Sequence, residues 1–309
     1  MDTRDVGYPW KTRNVFIRFS DKFLAFRGGL YASDHLTNAE LSKMIRIVYH
    51  AEGAFSIHSE STDIELPNDQ QPIQHDIYVL TPLRAGASVH PTGQLILDRK
   101  LDSTPRNQDF IQRVKDRDRG HCAILGMLQP NQRGEWPTTK MAYIFPSGQG
   151  DVFSLLPFPT PPEGVHCAQN IITLEEPVYN AWEARQIAID PDNGYRIISF
   201  HPTTTPCQGF ALHPVCRDPG NPWRVNDDLL RWHFHQTVIY NLRGDASSTT
   251  TARLRSCRLL LGPMHLGLIR MSQRLVPELQ RRGIVRREYE GTTLREHLGL
   301  PRPQNQFFS

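Results

Sequence analysis

The apolar residues of this chain come in short runs, and that grain limits the fold more than any total does. The first hundred residues hold NVFIRF (14–19), FLAF (23–26), HDIYVLTPL (75–83) and QLILD (94–98), each rich in aromatic or β-branched side chains. Turn formers such as Arg27-Gly28-Gly29 and Pro67-Asn68-Asp69 bound them. Runs of this length make strands rather than long helices. One helix interrupts them: Thr37-Asn38-Ala39-Glu40 reads as a capping box, and Leu41, Met44, Ile45 and Val48 then recur along one helical face. No run approaches the ~20 apolar residues that a membrane-crossing helix needs. The start, MDTRDVGYPWKTR, carries charges where a signal peptide needs its apolar centre. These features predict a soluble, cytoplasmic protein without a membrane partner.

Helical and strand patterns alternate in the rest of the chain. The spacing of Phe110, Ile111 and Val114 predicts a helix from Asn107 to about Asp118, with Gln112, Arg113 and Lys115 outward. Apolar runs CAILGML and MAYIFP follow, joined by proline-rich connectors at 129–138 and 157–162. A helix near Pro177–Arg185 leads into two strands, ARQIAID and YRIISF, with the turn Pro191-Asp192-Asn193-Gly194 between them. Asn226-Asp227-Asp228 caps a helix carrying Leu230, Phe234 and Val238, and Gly262 to Arg282 reads as a further helix broken at Pro277. The fold class is therefore α+β. Three regions are expected: mostly β over 1–106, a middle core over 107–225, and a helical part over 226–309.

With 309 residues, 39% apolar and 22% charged, the chain can bury an ordinary core and lacks a disordered composition. Charge is uneven. From Thr251 to Ser309 there are 11 arginines against 4 acids, so this end carries +7 and the remainder −4 of the total +3. Five cysteines (Cys122, Cys167, Cys207, Cys216, Cys257) lie far apart with no CxxC pair, which favours reduced, buried thiols over a zinc knuckle. His201, His213, Cys207 and Cys216 show no recognised ligand spacing, and no metal or other cofactor is expected.

The middle segment resembles the HNH endonuclease family in the larger form found in fungi. The family's Arg-Asp, turn and Cys-x-x-x-Gly strand is matched by Arg117-Asp118-Arg119-Gly120-His121-Cys122 through Gly126. Its Ala-His-Ile-Phe-Pro reads Ala142-Tyr143-Ile144-Phe145-Pro146 here. Asn170, Leu174, Tyr179 and Trp182-Glu183 fall at the offsets of the family's asparagine, leucine, second histidine and aromatic-acid pair. Tyr195 to Phe200, Leu229 to Phe234 and Asn241 to Gly244 resemble later parts of the fungal members. The resemblance spans about residues 107–282 and implies a ββα core.

The departures fall on the chemistry. In an HNH site the first histidine activates water and the second ligates a divalent metal on the scissile phosphate. Both positions are tyrosine here, and a phenol of pKa ~10 is a poor base and a weak ligand at neutral pH. His166 and Glu183 are the nearest substitutes. Residues 113–200 hold 8 basic against 10 acidic side chains, a poor field for a phosphodiester. What stands in place of the metal set is aromatic: Tyr143, Phe145, Phe153, Phe158, Tyr179 and Trp182. These rings either wall a small-molecule pocket or fill the space as core.

Three functions follow. The first is a metal-independent enzyme on a small apolar metabolite, a cyclase or rearrangement catalyst of the kind fungal natural-product pathways recruit. Tyr143, Tyr179 and Asn170 would be catalytic, and Phe145, Trp182, Phe153, His166 and Glu183 would bind substrate, by hydrogen-bond donation and confinement in a near-attack geometry. The second is an inactive pseudonuclease binding nucleic acid non-specifically through Arg281, Arg282, Arg286 and Arg287. The third is an active nuclease with relocated ligands.

Overall fold

A computed structural model describes residues 12–21, 26–99, 108–127 and 138–243 of the chain. They belong to the first of two compact units, Met1–Ser247; the second, Ser248–Ser309, lies outside the described residues. So do residues 23–25 of FLAF, most of the 129–138 connector, Cys257, the expected Gly262–Arg282 helix and the arginine cluster at 281–287.

The described part is α+β. Strand β1 (Val15–Phe19) pairs antiparallel with β2 (Phe26–Leu30). Helix α1 (Asn38–Val48) then runs through β3 (Tyr49–Ala51) into β4 (Phe55–Ser59), β5 (Ile77–Pro82) and β6 (Val89–Pro91). The first sheet has the order β2-β1-β5-β4, with β1 and β5 parallel and the other pairs antiparallel; β3 and β6 form a separate ribbon. The capping box forms as its spacing implied: Glu40 N donates to Thr37 Oγ1 and Thr37 N to Glu40 Oε2. Such a cap contributes about 1 kcal/mol. It also places Leu41, Met44, Ile45 and Val48, all fully buried, against the sheet.

Two expectations for this region fail. Arg27-Gly28-Gly29 is not a turn but the body of β2. A Cβ on Gly28 would lie 2.0 Å from Leu242 O and 2.1 Å from Tyr49 Oη, so glycine here permits a close backbone approach within a strand. QLILD is not a strand either. It runs as irregular chain across the helical side, with Leu97 N donating to Gln236 Oε1, Gln236 Nε2 to Leu95 O, and the Arg185 guanidinium to Leu97 O. Side chains replace the ladder that a neighbouring strand would supply.

Helix α2 (Gln108–Asp118) opens the middle region and buries Phe110 and Val114. CAILGML folds into two-residue strands β7 (His121–Cys122) and β8 (Gly126–Met127). Next come β9 (Thr139–Tyr143), the short helix α3 (Gly150–Phe153), β10 (Ile171–Glu175) and α4 (Glu176–Glu183). Strands β9 and β10 pair antiparallel, Tyr143 opposite Ile171, and α4 packs on them. Together they make a strand-strand-helix unit.

The hairpin β11 (Ile187–Asp190) and β12 (Arg196–Ser199) and helix α5 (Asp227–Leu242) then serve two cores at once. Ile187, Ile189 and Ile197 face the core of the middle region, while Ala188 and Ile198 face the first sheet's core. Along α5, Leu229 and Leu230 join the former, and Phe234, Val238, Ile239 and Leu242 the latter. Elements buried on both faces read as near-continuous apolar runs, which is how IAID and RIIS are written. Among the described residues no helix is long and apolar enough to cross a membrane.

Candidate functional site

The three positions that resemble the HNH triplet sit at the ends of β9 and β10 and in the middle of α4. Asn170 immediately precedes β10 and is fully buried. Its Oδ1 accepts from Phe145 N at 2.7 Å, and its Nδ2 donates to Phe145 O at 3.0 Å and Val165 O at 2.9 Å. Most of the amide's capacity is thereby used to tie both ends of the 145–165 loop to the hairpin.

Tyr143 ends β9 and is 2% exposed. Strand alternation sends Tyr143 and Met141 toward Phe110, Val114, Ala168 and Ile171 in a third apolar cluster, while Ala142 enters the core of the middle region. The Tyr143 phenol lies 3.0 Å from His166 Nδ1, with the rings edge to face at 6.0 Å. His166 is half-buried and also neighbours Phe110 at 6.5 Å. Tyr179 faces the other core, partly exposed, with Lys140 Nζ over its ring at 5.3 Å and Lys140 paired to Glu176. The two tyrosines therefore join different clusters.

The remaining aromatic candidates form one packed group. Phe145 meets Phe153 edge to face at 5.2 Å and Trp232 at 4.5 Å. Trp182 is wholly buried, donates from Nε1 to Tyr143 O at 3.0 Å, and stacks on His233 at 3.7 Å with the planes 4° apart. Phe158 is half-buried against the same core. Glu183 accepts twice from Arg99, at 2.9 and 3.1 Å, and Arg99 also donates to Tyr143 O at 2.7 Å. That carboxylate holds a guanidinium and points to no cation site. Among the described residues, no group of three or more His, Cys, Asp or Glu side chains is arranged to hold a metal ion.

Sequence reasoning missed three contributors. Arg117 and Asp118 form a buried ion pair at 2.6 Å; Arg117 also donates to Ala168 O, Trp223 O and Ile171 O, and Asp118 accepts from Thr173 N. Their place in the motif was visible, but not this clasp. Arg99 lies in irregular chain with no local signal, and His233 looked like an ordinary helical residue. The Cys216 thiol is pushed up mainly by burial and by neighbouring Asp118, and Cys167 is pushed up to about 12 by burial, so both thiols are protonated and inert at neutral pH. A groove of about 540 Å³ lies along α1, between Ala39, Ser42, Lys43 and Arg46 and the loop from Glu65 to Asn68; none of the expected site residues lines it.

Comparison with known proteins touches other parts of the chain's description. A family model described as a domain of unknown function (DUF8573) matches residues 12–84, the stretch that holds β1 to β5 and α1. Among curated proteins, nitrilotriacetate monooxygenase component A of Aminobacter aminovorans is 77% identical over 31 residues, covering 10% of this chain and 7% of that protein. N-acetyl-S-(2-succino)cysteine monooxygenase of Bacillus subtilis (strain 168) is 64% identical over 33 residues, covering 11% and 8%. The chain thus spans less than a tenth of these relatives. Among solved structures, the modification dependent TagI restriction endonuclease aligns over 52% of this chain and 47% of that one, at 13% identity and a TM-score of 0.29. At that score the likeness carries no argument about the fold.

Proposed function

We propose that the middle region is an HNH-like ββα unit that has lost metal-dependent phosphodiester cleavage and serves as a folded binding platform. One observation carries this reading: the three motif positions do not converge. Asn170 is committed to the loop, Tyr143 is buried toward α2, and Tyr179 joins the opposite core. A cation bound to phosphate needs several oxygen or imidazole ligands around one point. Nucleic acid would be held through the basic C-terminal segment, Arg281, Arg282, Arg286 and Arg287, by phosphate contacts that weaken log-linearly as salt rises.

A second reading, a metal-independent enzyme that cyclises or rearranges a small apolar metabolite in natural-product biosynthesis, is favoured by the Tyr143–His166 pair. A phenol whose partner imidazole reaches the surface can donate to a substrate carbonyl. Phe145, Asn170 and Trp182 are fully buried, so such a substrate enters from the His166 side.

One set of assays separates the readings. Plasmid nicking with Mg, Mn or Zn is expected to be absent, and DNA binding is expected to fall when the four arginines become glutamine. Metal-dependent nicking that disappears in Tyr143→Phe would overturn both readings together. Turnover of an apolar polyene or terpenoid that falls ~10²-fold or more in Tyr143→Phe would replace the first with the second.

A further inference from the structure

The seam between α4, α5 and the 95–99 segment buries more polar groups than it satisfies. His233 is 1% exposed, and among the described residues neither ring nitrogen has a hydrogen-bond partner. One helical turn on, the Thr237 hydroxyl is fully buried and also without a partner. Both project from the same face of α5. Between them in sequence, Gln236 O accepts from Arg185 Nη1 at 3.5 Å.

Charge is also unbalanced there. Arg99 is neutralised by Glu183 in a two-pronged ion pair. Arg185 is 7% exposed, and among the described residues its guanidinium meets the carbonyls of Gln236 and Leu97 and the face of Tyr240 at 5.3 Å. It forms no ion pair with a described residue. Burial first and the charge of Arg99 second pull its pKa down to about 10, so it remains a cation at neutral pH, with Asp98 and Glu183 acting on it only from a distance. His233 is held neutral by burial and then by the charges of Arg99 and Arg185. A buried cation held by carbonyls rather than by a direct ion pair is costly, and unpartnered polar atoms beside it add to the cost.

We propose that His233, Thr237 and Arg185 line an enclosed site for one small monovalent anion of chloride size. An imidazole N–H, a hydroxyl and a guanidinium are the donor set that such an ion takes. Its single charge offsets Arg185, which has no ion pair with a described residue. The burial of all three side chains argues for a halide rather than a phosphate or a carboxylate metabolite. This site is separate from the tyrosine positions and does not depend on the proposed function.

The test is thermal unfolding of the full chain at pH 7.5 while chloride replaces methanesulfonate at constant ionic strength. Tm is expected to rise by about 3–5 °C per tenfold chloride above the dissociation constant. His233→Phe keeps the stack on Trp182 but removes both nitrogens, and Thr237→Val removes the hydroxyl at equal size; each is expected to flatten that slope. Broadening of the ³⁵Cl resonance by the wild-type protein, reduced in Thr237→Val, provides a second readout if His233→Phe folds poorly. A wild-type Tm indifferent to chloride, or a slope that survives in both variants, would show that the seam holds no anion.

Discussion

Asn170→Ala separates a structural asparagine from a catalytic one. Removing the side chain leaves three buried backbone groups without their partner: Phe145 N, Phe145 O and Val165 O. Each buried group left unsatisfied costs about 1–3 kcal/mol, and the three share one site, so the total is less than their sum. About 3 kcal/mol is the expected loss, or ~6–12 °C in Tm for a unit of this size. Asn170→Asp refines the argument. A carboxylate can still accept from Phe145 N, but it turns oxygen toward two carbonyls that previously received N–H donation. Its acid is therefore held above the usual carboxylate range. With the folded pKa raised, the variant's stability is greatest below about pH 4, where the neutral acid can donate once, and falls as pH rises through the folded pKa. Urea denaturation at pH 4 and pH 7 reads both variants. A loss below about 1 kcal/mol in Asn170→Ala, or an Asn170→Asp variant as stable at pH 7 as at pH 4, would refute the loop-tying role.

Two further outcomes follow from the packing. Gly28→Ala places a methyl against Leu242 O and Tyr49 Oη and is expected to cost about 2–3 kcal/mol, whereas Gly93→Ala, with nothing within 4 Å, is expected to be near neutral; chemical denaturation of the pair checks this. His233, His235, His213 and His201 are all held below the usual histidine pKa, chiefly by burial, so the stability they contribute is present above about pH 6.5 and is lost as pH falls. In His233→Phe the drop between pH 6.5 and 5.5 should shrink; an unchanged drop would mean that the other histidines carry it.

Much of the fold was legible because its signals are local. The capping box at Thr37, the Asn226 cap of α5 and the turn at Pro191–Gly194 depend on side chains acting within a few residues, and each forms as its spacing implied. Gly28 was misread because a glycine that frees a turn and one that admits a distant helix end look alike in sequence; only Leu242, more than two hundred residues away, distinguishes them. QLILD differs because its apolar residues are partly buried beside the two cores and its backbone bonds to Gln236 of α5 rather than to a strand. At the candidate site the strands and the helix were legible, but strand alternation puts the rings of Tyr143 and Tyr179 in different clusters. Lys140 and Ala142 share one face of β9, Met141 and Tyr143 the other, so a helix packed on the first face cannot also meet Tyr143's ring.

The residues that carry the resemblance to the HNH pattern do structural work in this fold that depends on no metal chemistry. Arg117 supplies donors to three carbonyls, Asp118 accepts from Thr173 N, Asn170 closes three backbone bonds, and Trp182 donates to Tyr143 O. Each satisfies backbone groups that the fold has buried, so its loss costs stability whether or not a metal is ever bound. Tyr143 packs its ring among Phe110, Val114 and Ile171 with its phenol beside His166, and Tyr179 packs in the core of the middle region with Lys140 over its ring. The positions of the resemblance thus divide into side chains that satisfy backbone buried in the strand-strand-helix unit and side chains that meet it through their rings.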